Sequence, residues 1–202
     1  MALAAMAICI GSLSFHLIRL IRLGNPHDFS KQHGNISKAV QYSFTKAMSP
    51  AKKESAYLHL PTYMAGIIYH LGTFLSIFLF FTFLLKIEFN QLTNYILMGF
   101  LVISGISGFG ILIKRIMKSE LLSLSNPDDF ISNLLVTLFQ LATALALFMI
   151  DSIILYYILV TALLLYLPMG KLKHTIYFFA ARYHLGFFYG WRGIWPIMNP
   201  KQ

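Results

Sequence analysis

Five long apolar runs, separated by polar or basic segments, organise the chain: about Leu3–Leu23, Leu60–Leu85, Tyr95–Ile113, Phe130–Ile150 and Ile153–Met169. A helix needs about 20 apolar residues to cross ~30 Å of hydrocarbon, so each run predicts a membrane span. The last helix is expected to run on past Pro168 as Leu172–His184, because Lys173 to Arg182 stays helix-compatible and aromatic. The first run has no basic leader. Its only charges, Arg19 and Arg22, lie at its C-terminal end, so it reads as a retained helix rather than a signal peptide. Gly24–Leu58 is long and polar, with Asn25-Pro26 and Ser49-Pro50 as turn signals and a surface helix expected between them. Such a loop lies on the membrane face or touches a partner. Asn126-Pro127-Asp128-Asp129 supplies a side chain able to cap the fourth span.

Composition sets the class. With 57% hydrophobic residues, 11% charged residues and a mean hydropathy of +0.68, a chain of 202 residues cannot hide its apolar surface in a water-soluble core. The expected fold is an all-α, integral membrane five-helix bundle with a cytoplasmic C-terminal tail. Its expected domains are a five-span region, 1–184, that includes the loop 24–58, and an aromatic and basic tail, 185–202. The net charge of +9 raises nucleic acid as a partner, but its distribution answers to topology instead. Basic residues crowd the first loop, the segment after the third span and the segment after the fifth, while Lys86-Ile87-Glu88 has one lysine and Asp151-Ser152 none. The positive-inside rule then places the N-terminus outside and the tail in the cytoplasm, with membrane lipid but no nucleic acid as a partner. The single cysteine, Cys9, excludes a disulfide framework and a thiolate-held iron–sulfur cluster within the chain. No Asp or Glu lies in any of the five runs, which argues against a proton pump or an ion-coupled transporter. No His-Glu-x-x-His or Glu-x-x-His pair exists, so a zinc protease or di-iron carboxylate site lacks its ligands.

The seven histidines carry the remaining chemistry. His27 and His33 fall in the polar loop and read as solvated, and His59 stands at the entrance of the second span. His16, in the first span, is open to three roles: a structural contact, a quinone or haem-propionate contact, or an axial ligand. His70 lies within the second run between Gly66 and Gly72, and His174 closes the fifth. An imidazole in a bilayer is costly unless something ligates or hydrogen-bonds it, so two on separate spans read as a functional pair. A haem iron held by one neutral nitrogen from each fits that pair. The small residues of Ser104–Gly110 suit close helix packing or a flat cofactor. Lys171, Lys173, Arg182 and Arg192 are candidates to pair with haem propionates, or else serve topology and anionic lipid. Tyr183, Phe187, Phe188, Tyr189, Trp191 and Trp195 make the tail too aromatic for a solvated terminus. It is expected to lie along the membrane or under a partner, with Gly186, Gly190 and Gly193 permitting turns.

The run Gly170–Phe179 with Arg182, the segment Gly190–Pro196, and Ile67-Ile68-Tyr69-His70-Leu71-Gly72 resemble the membrane cytochrome b family. That family includes the gamma subunit of respiratory nitrate reductase and the membrane subunits of heterodisulfide-reductase-like and sulfite-reductase-associated complexes. The likeness spreads over the last four spans and the tail. It implies that His70 and His174 ligate haem b, in a prokaryotic cytoplasmic membrane. It further implies electron transfer between the quinone (menaquinone) pool and a cytoplasmic iron–sulfur oxidoreductase partner. Independently of the resemblance, His16 or Tyr63 is expected to contact the quinone, because its carbonyl needs a donor and both residues lie in the cytoplasmic halves of their helices. Two-haem members carry a second histidine ten residues after the first and another eighteen before the last. Phe80 and Tyr156 stand there, so one haem is expected, in the cytoplasmic half. The alternative is a cofactor-free membrane anchor or assembly subunit of a larger complex.

Overall fold

The computed structural model describes residues 1–24, 28–49 and 59–196, and these contain helices and turns but no strand. The α-helices are α1 (Ala2–Leu23), α2 (Ile36–Phe44), α3 (Leu60–Leu84), α4 (Gln91–Met117), α5 (Ser119–Ser123), α6 (Pro127–Phe148), α7 (Ile153–Tyr166) and α8 (His174–Trp191). Of these, α1, α3, α4 and α6 are long and apolar enough to cross a membrane. A fifth span is present if α7 and the segment Lys171–Trp191 are taken together as one broken span. Asn25, Pro26 and Pro50, named above as turn signals, lie outside the described residues.

The expected continuous last helix is corrected. α7 ends at Tyr166, and a short 3-10 turn, Lys171–Lys173, precedes the start of α8 at His174. Pro168 explains the break, because it has no N–H to donate and its ring clashes with the carbonyl one turn back. The Tyr166 carbonyl closes the helix by accepting from both Met169 N (2.9 Å) and Gly170 N (3.0 Å). α8 then continues to Trp191, well beyond the expected end at His184.

The contacts group the chain into two compact units. The first comprises Met1–Cys9 and His59–Leu172, and the second Ile10–Leu58 and Lys173–Gln202. In the first unit α3, α4, α6 and α7 pack together, α6 against each of the others. Phe80, Val136, Phe139, Tyr156, Val160 and Leu163 form a buried cluster on which Ala2 and Met6 of α1 also pack. Lipid tails are as apolar as these side chains, so close approach and interhelical hydrogen bonds must hold the helices together. The small residues supply the first. A Cβ on Gly72 would fall 2.4 Å from Ser104 Cβ, and one on Gly105 2.5 Å from Leu141. Gln140 supplies the second. Its Oε1 accepts from Ser104 Oγ (2.8 Å), and its Nε2 donates to the Tyr69 carbonyl (2.9 Å) and to Thr73 Oγ1 (2.8 Å), joining α3, α4 and α6 from a fully buried position. Asn126 and Asp129 form a reciprocal capping box at the start of α6, as the sequence suggests.

In the second unit the expected surface helix is present as α2, capped by Asn35, whose side chain accepts from Lys38 N at 3.0 Å. It packs along α8. Gly186 and Gly190 are helical rather than turn residues, which corrects the reading of the tail. A Cβ on Gly186 would lie 2.5 Å from Val40 Cα and one on Gly190 2.6 Å from Ala39 Cβ, so both glycines permit helix–helix contact. Gly193 does serve a turn, with φ of +70°. Side chains fasten the unit. Ser43 Oγ donates to Arg182 O (2.8 Å), and the Trp191 indole N–H donates to Ser30 O (2.9 Å).

Candidate functional site

His70 lies on α3, one residue after Tyr69, whose hydroxyl donates to the Asn133 carbonyl at 3.0 Å. A step of one residue turns the side chain by about 100° on a helix, so Tyr69 faces α6 while His70 points outward and is exposed. Its Nδ1 lies 2.7 Å from the carbonyl of Gly66, one turn earlier. A carbonyl can only accept, so Nδ1 carries the proton and, in the neutral ring, Nε2 holds the lone pair. This is the tautomer a metal ligand needs, and the bond to the Gly66 carbonyl orients the ring. The two glycines beside His70 differ. Gly72 is packed against Ser104, whereas a Cβ on Gly66 would meet nothing within 4 Å, so open space lies beside His70 on the same helix face.

His174 opens α8 and is exposed. It belongs to the second unit and His70 to the first. The basic candidates separate into two kinds. Arg192 is engaged within the second unit: its Nη2 meets Asp28 Oδ2 at 2.9 Å, its Nη1 donates to Phe188 O at 3.2 Å, and its guanidinium lies 3.7 Å from the Phe188 ring centre. Lys171 pairs with Asp129 in the first unit. Lys173 and Arg182 have no carboxylate within ion-pair distance among the described residues, and Arg182 instead stands 5.8 Å from the centre of the Phe178 ring. Asp28 is held below the usual carboxylate range, chiefly by hydrogen bonds from the Ser30 hydroxyl and backbone N–H and further by the Arg192 charge.

His16 is half-buried in the second unit, with its ring 6.0 Å from that of Phe15, and Tyr63 is half-buried in the first. These two quinone candidates are therefore not members of one compact unit. An open apolar cleft of about 480 Å³ is lined by Leu3, Leu84, Ile154, Tyr157, Ile158 and Thr161, and neither His70 nor Tyr63 borders it. His27 lies outside the described residues. His33 is exposed, and its backbone N–H donates to Trp191 O at 2.9 Å. Phe80 and Tyr156, where the resemblance leads one to look for a second histidine pair, share the buried aromatic cluster of the first unit. Tyr156 stacks on Phe139 at 6.3 Å and meets Phe83 edge-on at 5.3 Å. Sequence reasoning missed Gln140 and His184, whose Nε2 lies 3.3 Å from the Leu20 carbonyl. Neither residue sits in a motif, and their partners are 36 or more positions away.

No known protein family matches the chain, and no curated protein or solved structure matches it.

Proposed function

We propose that the chain is a single-haem membrane cytochrome b subunit relaying electrons between the quinone pool and a cytoplasmic iron–sulfur oxidoreductase, with its N-terminus outside a prokaryotic cytoplasmic membrane. The observation that carries this reading is the hydrogen bond from His70 Nδ1 to the Gly66 carbonyl, which leaves Nε2 as a ligand nitrogen on an exposed face of α3. Open space at Gly66 suits a flat macrocycle on that face.

In this reading His70 and His174 would hold the haem iron. Two neutral imidazoles give a low-spin iron with no open position for substrate, so the bound haem supplies one-electron transfer and nothing else. Lys173 and Arg182 are the cations available to the propionates, since Arg192 and Lys171 already have carboxylate partners. Basic residues on the cytoplasmic side suit the docking of a soluble partner.

The test is the reduced-minus-oxidised spectrum of the purified protein, with haem quantified as the pyridine haemochrome. The wild-type chain should show a low-spin b-type α-band. His70→Ala and His174→Ala should each abolish it. A full-strength low-spin spectrum in both variants removes the ligand assignment, and a wild-type chain without haem leaves the cofactor-free anchor as the better reading.

A further inference from the structure

One of the two compact units carries all of the net charge. The second unit, Ile10–Leu58 with Lys173–Gln202, contains eleven of the 16 lysines and arginines but only Asp28 and Glu54 of the 7 carboxylates, so the whole +9 is its own. The first unit has five residues of each sign and is neutral. The second unit is also two-faced. Ala180, Gly186 and Gly190 are the buried residues of α8, and the two glycines lie against α2. Tyr177, Phe178, Ala181, Leu185 and Phe188 are exposed, and at about 100° per residue they fall on the opposite side of the helix. On α2 the order is reversed: Ala39, Tyr42 and Ser43 are buried, while Ser37, Lys38 and Gln41 are exposed. The pair thus presents an aromatic surface on one side and a polar surface on the other.

Lysines flank the aromatic surface at both ends. Lys31 follows Ser30, whose carbonyl holds the Trp191 indole at the end of α8. Lys46 comes two residues after Phe44, whose ring lies 6.2 Å from that of Phe178 and 6.1 Å from that of Phe179, near the start of α8. Both lysines are exposed, with no carboxylate within ion-pair distance among the described residues. An exposed aromatic helix face is costly in water, and an acidic protein surface would answer the charge alone. A bilayer containing anionic lipid answers both, since it is apolar inside and negative at its edge. We propose that the second unit is a membrane-surface module that binds anionic phospholipid. The outer face of α8 enters the boundary between headgroups and acyl chains, Lys31 and Lys46 meet the lipid phosphates, and the outer face of α2 stays in water. This assignment does not depend on haem.

Trp191 and Trp195, the 2 tryptophans of the chain, both belong to this unit and report its distance from lipid. The test uses the full-length protein in vesicles of fixed composition, phosphatidylcholine with a minority of phosphatidylglycerol, with the same amount of bromine carried on the acyl chains of one lipid or the other. Both should quench the tryptophan emission, and brominated phosphatidylglycerol about twofold more strongly, because cations at the surface gather anionic lipid. That preference should vanish in about 1 M salt, where the Debye length falls to about 3 Å, a measurement that needs no variant. It should also vanish in Lys31→Gln/Lys46→Gln, with quenching by brominated phosphatidylcholine retained. Leu185→Ser should weaken quenching by both lipids at unchanged helix content. Emission that aqueous iodide quenches and neither brominated lipid does overturns the proposal and leaves the aromatic face to a protein partner. Equal quenching by the two lipids, unmoved by salt, overturns the recognition of anionic headgroups. A preference that survives intact in Lys31→Gln/Lys46→Gln overturns the assignment to these lysines.

Discussion

His70 is surrounded by residues whose sizes decide different things. Gly72 is small because Ser104 and Gln140 occupy the space beside it, so its Cβ would collide with the α4 interface. Gly66 is small with nothing near it, which packing within the described chain does not explain. On the proposed function, a leucine at the two positions should therefore act oppositely. Gly72→Leu should destabilise the first unit, whereas Gly66→Leu should leave helix content and thermal stability in detergent near wild type and lower haem content several-fold by blocking the ring from α3. Circular dichroism melting with pyridine haemochrome assay separates the two effects, and full haem occupancy in Gly66→Leu would show that the ring does not approach this face. That His70 needs a partner was legible in the sequence, because an imidazole inside an apolar run is costly without one, and the Gly66 carbonyl is a partner the structure supplies. Gln140 was not legible. It stands among Phe139 and Leu141 with no spacing to mark it, and its role comes entirely from Ser104, Tyr69 and Thr73 brought to it by tertiary packing. The same limit applied to Arg192, a plausible propionate partner by type, whose engagement with Asp28 spans more than 160 positions of sequence.

At the scale of elements, apolar length located the long helices and Asn126 located the start of α6, since both signals are local. The end of α7 and the conformation of the tail depart from the sequence expectation for related reasons. The residues beyond Pro168 favour helix, but that local preference does not outweigh the missing N–H and the ring clash at the proline. Glycine is common in turns, yet against α2 Gly186 and Gly190 serve the opposite purpose of continuing a helix in close contact. Only the presence of Val40 and Ala39 distinguishes the two uses, and sequence periodicity does not report it. The Asp28–Arg192 pair and the Trp191–Ser30 bond tie the segment before α2 to the end of α8. Asp28 titrates below its ordinary value of about 3.9, so the stability it contributes is present above that value and is lost as pH falls through the lowered one. Acidification through that window should shift the tryptophan emission of the second unit, reporting release of Trp191. Asp28→Asn should show the shifted emission already at neutral pH and little further change on acidification. An identical acid transition in Asp28→Asn would assign the effect to another group.

Across the whole molecule, composition and apolar runs were enough to read an all-helical chain with spanning helices. The division of its contacts into two units was not readable, because α1 contributes to both and the loop helix joins the tail rather than its sequence neighbours. On the proposed function, haem stoichiometry belongs to this scale, since it depends on whether the first unit has room for a macrocycle beside Phe80 and Tyr156. Phe80 and Tyr156 are 5% and 0% exposed, and with Phe139, Val136, Val160 and Leu163 they fill the space among α3, α6 and α7 with rings and branched side chains. Interiors are close-packed, so a porphyrin could enter there only by displacing several of these side chains together. Supplying ligands alone should therefore be insufficient: the double variant Phe80→His/Tyr156→His should still hold one haem per chain, as should the wild type. It should be less stable than wild type as well, since two imidazoles would replace larger rings in an apolar core and leave polar nitrogens without partners. Haem extraction against quantitative amino-acid analysis decides the ratio. A value of two in the double variant would mean that the aromatic cluster yields to a cofactor, and two in the wild type would require a ligand pair other than His70 and His174.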